Sequence, residues 1–334
     1  MSEHRIEIVQ IGKIEPHANA DRLAITRIWG WQCCIGKDDF KEGDLAIYIP
    51  PDYLVPISNP SFAFLKREDG KPQERIRVRR FKGALSQGLL IPVPPELLDR
   101  SVGANVIAEL GIERYEPPLP MSSGGLFVGG PSGLYCPKFD VECYQRYFQM
   151  FTAGEPVVIT EKIHGANARY TYAQDKDGEW KQFCGSRTNW LAEDDKNYWW
   201  MAFHRNPAIG EWCKEHPTLI LYGEVFGQVQ KLKYGAKRND VFFAAFAVLK
   251  QNQWLDFDEA YAMVTPKVAW VPLLYKGPFD AKIALSLSEG RSTWPGADHV
   301  REGCVIIPEK ERNDAEIGRV MLKIVSDSYL EKDA

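Results

Sequence analysis

Residues 160–167 read TEKIHGAN, and they place Lys162 between a glutamate and a glycine turn, directly after the apolar run PVVI. A lysine amine is a covalent nucleophile when it is neutral. A lysine that ends a strand before a glycine turn more often just reaches water, so this stretch alone decides little. Its weight comes from residues further along the chain. GSRTNW ends a strand at Arg187, and LYGEVFG sets Glu224 between two glycines. FFAAFAV is an apolar strand with spaced phenylalanines, EGCVII opens on Glu302, and VMLKIV carries Lys323. Two carboxylates suit a hard cation that keeps some of its waters. An arginine fork suits anionic oxygens. The order is Lys, Arg, Glu, aromatic strand, Glu, Lys, each on or beside a predicted strand.

These residues need a scaffold of strands, and the rest of the chain supplies one. From residue 135 onward, DVECYQRYFQMF has helical spacing, with Asp140 as its N-cap. Strands follow in EPVVITEKI, ANARYTYA, WKQFCGS, TLILYGEVFG, DVFFAAFAVL, QWLDF, EGCVIIP and VMLKIV, with a helix over KNYWWMAFHRNPAIGEWCKEH. This is an α+β pattern with antiparallel sheets rather than alternating βαβ. Residues 5–57 and the run ERIRVRRFKGALSQGLLIPVP are short strands between polar turns, the spacing of a small barrel. ELLDRSVGANVIAELGIERY is the helical candidate there. YEPPLPMSSGGLFVGGPSG, rich in Pro, Gly and Ser, marks a linker. The expected division is a barrel module over 1–115, a linker over 116–134, and a catalytic domain over 135–334.

With 334 residues the chain has room for about two domains. A hydrophobic fraction of 45% and a charged fraction of 26% are ordinary for a soluble protein. No apolar stretch approaches the ~20 residues of a membrane span, and the N-terminus shows no apolar signal segment. The seven cysteines form no CxxC pair, which points to an intracellular, reducing, cytoplasmic setting without structural zinc. A net charge of −4 excludes a generally basic coat for nucleic acid, so polyanion binding must come from local patches. Two patches stand out. In RIRVRRFK, strand alternation puts Arg75, Arg77 and Arg79 on one face, and KLKYGAKR offers Lys231 and Lys233 as a second track.

The ordered set from Lys162 to Lys323 resembles the covalent nucleotidyltransferase superfamily of ligases and capping enzymes. Its Lys-x-His-Gly-x-Asn form is similar to the RNA-ligase branch. PHANADRL, FKEGDLAIYIPPD and FKGALSQGLL resemble OB-fold modules related to tRNA-binding domains. An OB module ahead of such a domain is similar to the Deinococcus-type nick-sealing RNA ligases, over nearly the whole chain.

The resemblance implies an ATP-dependent RNA ligase that joins a 3′-OH RNA end to a 5′-phosphate, through lysyl-AMP and an adenylylated 5′ end. It implies Lys162 as nucleophile, and Glu224 and Glu302 as carboxylates for Mg²⁺, with Mn²⁺ as a substitute and the ribose as the alternative contact of Glu224. It implies Lys323 as a cation at the phosphates and Arg187 as a contact to phosphate or ribose. Asn167 would orient a phosphate or a metal-bound water, and His164 matters without a derivable role. Glu161 would accept from the adenine amino group. Phe243 would stack on adenine, with Phe246 as the alternative. A free lysine of pKa ~10.4 is neutral about one part in a thousand near pH 7.4, so the site must favour the amine. A nearby cation does this, with Lys323 and Mg²⁺ as the candidates. The expected partner is nicked RNA or an RNA-containing duplex, bound by a monomer.

Two positions depart from the family pattern: Met321 stands where a lysine is common, with Arg319 as its candidate substitute, and Ala247 stands where an aspartate is common. The rival readings are a DNA ligase or capping nucleotidyltransferase, and a non-catalytic RNA-binding protein with a decayed ligase domain.

Overall fold

The structure, a computed structural model, describes residues 5–66, 70–115 and 126–333. The chain divides into two compact units, one of Glu3–Pro118 with Leu330–Ala334 and one of Leu119–Tyr329 with Met1–Ser2. Of the segment read as a linker, residues 116–125 lie outside the described residues. The part beyond them belongs to a sheet, because Phe127–Val128 pairs antiparallel with Trp190–Leu191.

The first unit is built on the strand Leu45–Ile49, which lies between Glu7–Gln10 and Leu89–Pro92, antiparallel to both. Its sequence, LAIYI, carries no charge because both of its faces are covered. Ile47 and Ile49 pack with Ile6, Ile8, Phe62 and Ile91 on one side. Ala46 and Tyr48 pack with Val9, Ile28 and Ile35 on the other. Two hairpins, Leu23–Ile28 with Trp31–Gly36 and Val78–Phe81 with Ala84–Gln87, turn at Trp29-Gly30 and Lys82-Gly83. All four turn residues have positive φ, the condition for a two-residue hairpin turn that matches strand twist. The helical expectation for residues 96–115 shrinks to one 3₁₀ turn, Pro95–Leu97, and one short helix, Ile107–Leu110.

The second unit holds two sheets. The larger runs in the order Phe127–Val128, Trp190–Leu191, Trp180–Ser186, Ala166–Gln174, Ile220–Gly227, Val241–Lys250, Gln253–Trp254, antiparallel throughout. The smaller runs Glu142–Cys143, Leu322–Val325, Gly303–Pro308, Pro156–Glu161, Leu273–Pro278. Alternation divides the smaller sheet cleanly. Val157, Ile159, Cys304, Ile306, Leu322 and Ile324 point into a core with Tyr144, Phe151 and Phe279. Thr160, Val305 and Lys323 are cross-strand neighbours on the opposite face.

The expected long helix at residues 196–216 breaks into Tyr198–Arg205 and Pro207–Glu215, because Pro207 cannot continue the first helix and instead starts the second. Asp140 does not cap a helix: the next helix is only Tyr144–Tyr147, with Cys143 at its N-cap. Three helices, Phe257–Val264, Ala281–Ser288 and Asp327–Asp333, were not anticipated, although Asp280 caps the second through the amides of Lys282 and Ile283.

Candidate active site

Lys162 comes directly after the Pro156–Glu161 strand, and its amide donates to Gly303 O at 3.0 Å. This main-chain bond ties it to the start of the neighbouring strand, where Glu302 sits. Lys162 Nζ reaches Glu302 Oε1 at 2.6 Å, across 140 positions of sequence. His164 Nδ1 lies 3.3 Å from the other Glu302 oxygen. The turn between them needs glycine at 165, since a Cβ there would lie 2.2 Å from Val225 O.

Glu224 approaches from the larger sheet, where Asn167 is its cross-strand partner. Glu224 keeps some exposure, yet its carboxyl is deep in packed protein. Burial pushes it up to about 8 and the Glu302 charge adds to the push, while Lys162 and the Gly165 amide offset it only in part. Glu302 goes the other way. Burial by itself would raise it, but Lys162 and His164 outweigh that and hold it at about 2. Two carboxylates in one pocket have thus been driven apart, a pattern characteristic of functional sites. Asn167 Oδ1 is buried beside them without a hydrogen-bond partner. Two carboxylates and an orphaned amide oxygen form a hard-oxygen donor set. It fits a divalent cation held partly through water. Among the described residues no cluster of three or more His, Cys, Asp or Glu side chains is arranged to hold a metal by itself.

The Lys162 amine therefore has a carboxylate as its ion-pair partner. Lys323 faces the same side of its sheet as Val305 and Thr160, with Cys143 beside it on the edge strand. Arg187 comes just after the Trp180–Ser186 strand and pairs with Asp140.

Phe243 lies on the wrong face for the expected stacking role. It is buried edge-on against Tyr170, 5.0 Å between centroids, and the Tyr170 hydroxyl donates to Trp199 O in the covering helix. Phe246 lies on the Glu224 face. A register shift opposite Tyr222 and Gly223 makes it the extra residue of a bulge. Its ring meets Phe139 at 4.4 Å, and Phe139 also packs on Tyr222, two residues before Glu224.

Glu161 is buried, and its Oε2 accepts from both the amide and the hydroxyl of Thr293, at 2.7 and 2.8 Å. One carboxylate oxygen is thus committed within the protein, while Oε1 is buried without a hydrogen-bond partner. Arg319 does not share a strand with Lys323. It belongs to a hairpin with Asn313, pairs with Glu311 at 2.8 Å, and stacks over Trp254 at 4.2 Å and Phe139 at 5.1 Å. It is no stand-in for the lysine missing at Met321, which is itself buried.

Lys231 and Lys233 are exposed and alternate with buried Leu232 and Tyr234. In the first unit, Arg75 ends one strand and Arg79 belongs to the next, so the three arginines do not share a single strand. Arg75 pairs with Asp52 and lies over the Tyr115 ring, Arg79 pairs with Glu74, and Arg77 is exposed.

Four residues escaped sequence reasoning: Tyr234, Thr293, Phe139 and Val305. Only Val305 had a signal, the strand alternation that places it opposite the core. Nothing in the sequence shows that the Tyr234 hydroxyl accepts the His164 amide at 2.7 Å.

The RNA ligase family model matches residues 155–325, and an OB-fold domain model matches residues 6–93. No curated protein sequence matches the chain. Among solved structures, the chain is similar to a lysine-to-alanine variant of Naegleria gruberi RNA ligase with ATP and Mn, at 27% identity and a TM-score of 0.83, covering 98% of this chain and 99% of that one. The Naegleria gruberi RNA ligase with PPi matches at 27% identity and a TM-score of 0.82, covering 99% and 98%. A lysine-to-methionine variant with AMP and Mn gives 27% and 0.82, covering 98% of each chain.

Proposed function

Since this chain belongs to the RNA ligase family, we propose that it is an ATP-dependent enzyme that seals nicks whose 3′-OH strand ends in RNA, in a repair role. The observation that carries this reading is the meeting of Lys162, Glu302, His164 and Glu224 within the matched domain, with two carboxylates shifted in opposite directions. The OB-fold unit and the ATP, AMP and PPi of the similar structures support it.

In the first step the Lys162 amine attacks the α-phosphorus of ATP. A nitrogen–phosphorus bond forms, the bond to the β-phosphate oxygen breaks, and pyrophosphate leaves with that electron pair. An oxygen of the RNA 5′-phosphate then attacks the same phosphorus and frees the lysine. Finally the 3′-OH attacks the activated 5′-phosphate and AMP leaves. Splitting the reaction makes a good leaving group on a phosphate that otherwise lacks one.

Glu302, Glu224 and Asn167 would hold a divalent cation, which would supply charge neutralisation at the triphosphate, and Glu302, once engaged there, would leave the Lys162 amine available for attack. Phe246, rather than Phe243, provides the aromatic surface for adenine, with Val305 facing it from the other sheet. Lys323 and Arg187 serve the phosphates and ribose. Arg77, Arg79, Lys231 and Lys233 steer the polyanion.

The test uses ATP labelled at the α-phosphate with Mg²⁺, beside labelled GTP and a Lys162→Ala control. Acid-labile label from ATP alone, absent in the variant, is expected. No label on a folded protein that mass shows to be unadenylylated would falsify the reading. Nicks ending in RNA or DNA at the 3′-OH then separate RNA ligase from DNA ligase.

A further inference from the structure

The nucleophile's neighbours on both sides are tied to one loop. Residues 291–300 form a loop closed by a bridge between Arg291 and Val300. Arg301 clips its base by donating to Arg291 O at 2.8 and 3.1 Å, and Glu302 is the very next residue. On one side of Lys162, Thr293 of this loop gives two hydrogen bonds to buried Glu161. On the other side, the Tyr234 hydroxyl accepts the His164 amide at 2.7 Å. Tyr234 is in turn held by the loop, because its amide donates to His299 Nε2 at 3.2 Å and the two rings meet edge to face at 4.5 Å. Trp294 and Tyr234 both pack edge-on against Phe226.

These contacts carry features that packing for stability alone would avoid. Tyr234 is fully buried with φ +53, a conformation unfavourable for a bulky side chain. Gly235 beside it approaches Gly296 of the loop so closely that a Cβ would lie 2.6 Å from Gly296 O. Glu161 Oε1 is buried without a hydrogen-bond partner, so Thr293 supplies the hydrogen bonds of that carboxylate. Strain and orphaned polar groups concentrate where geometry serves function.

We propose that the loop 291–300 is a clasp that positions the nucleophile, with Thr293 and Tyr234 as its positioning residues. Thr293 fixes the residue before Lys162, Tyr234 fixes the turn after it, and the loop's own end sets Glu302. The three points define where the Lys162 amine stands relative to the α-phosphate. This rests on Lys162 being the nucleophile.

The experiment measures single-turnover adenylylation of the full chain across ATP concentrations for wild type, Thr293→Val, Thr293→Ser and Tyr234→Phe. Hydrogen exchange of the peptide spanning 160–166 is followed in parallel. Thr293→Val and Tyr234→Phe are expected to lower the rate constant ~10–100-fold, the scale of a misplacement near 1 Å. The apparent ATP affinity should stay within about two-fold, and the 160–166 amides should exchange faster. Thr293→Ser, which keeps the hydroxyl, should restore both. Wild-type rate constants and unchanged exchange in the two disruptive variants would overturn the clasp, as would a loss confined to ATP affinity. If Tyr234→Phe does not fold, the Thr293 pair decides. If wild type takes no label, the ligase reading fails by itself, and exchange alone then tests whether the loop holds the turn.

Discussion

The arginines of the barrel unit and the charges around Lys162 are built on opposite plans. Arg79 pairs with Glu74, five positions away, at the surface. Lys162 pairs with Glu302, 140 positions away, with side-chain exposures of 24% and 11%. Arg79 meets solvent, where water screens it, and its partner is local. The charges of the catalytic unit meet each other, where burial amplifies every interaction. Proximity in sequence therefore says where charge can gather on a surface. It says little about where charge can do chemistry, because that requires water to be excluded by elements from distant parts of the chain.

Three experiments can break or sharpen this contrast. The largest effect belongs to Glu302→Gln, which leaves Lys162 without its anionic partner. A fully buried broken pair costs ~3–5 kcal/mol, and the residual exposure of Lys162 brings the expected loss of stability to about 2–3 kcal/mol. Arg79→Ala, which breaks a surface pair, should cost under about 1 kcal/mol. Denaturant melts of both variants make the comparison, and equal losses would break it.

Next comes pH. Glu224 is held protonated up to about 8, and a cation must displace that proton. As pH falls below 8, cation affinity should drop, approaching tenfold per unit. The Mg²⁺ concentration giving half-maximal adenylylation, read between pH 6.5 and 9, should rise toward low pH, and Glu224→Gln should remove the component with its midpoint near 8. A flat wild-type profile would show that Glu224 does not contribute to the cation site.

The smallest effect is at the barrel. Reversing charge at Arg77 and Arg79 should weaken nick binding several-fold at low salt, with a shallower salt dependence, and leave lysine adenylylation unchanged. Nick affinity equal to wild type across a salt titration would remove these arginines from the interface.

The same contrast runs through one strand. Phe243 and Phe246 are three positions apart in FFAAFAV, and simple alternation puts them on opposite faces. Which face meets the site depends on Tyr170 and its covering helix on one side and Phe139 on the other. Arg319 looked available two positions before Met321, but a hairpin turns it onto Glu311 and between two aromatic rings. Asp140 looked like a helix cap because its spacing allowed it, yet its partner is Arg187.

The sequence by itself determined the α+β class, the order of an OB-fold unit before the ligase domain and most of the strands, though not Leu273–Pro278. Alternation, turn residues and apolar runs are local properties, and each strand carries its own. Through its resemblance to a ligase family the sequence also pointed to Lys162, Glu224 and Glu302, which the fold brings together. Tertiary structure alone decided which carboxylate reaches the Lys162 amine, which phenylalanine lies on the Glu224 face, and that one loop contacts the residues on both sides of Lys162. Those outcomes depend on register between strands that are far apart in the chain, and on burial, which no single segment can create.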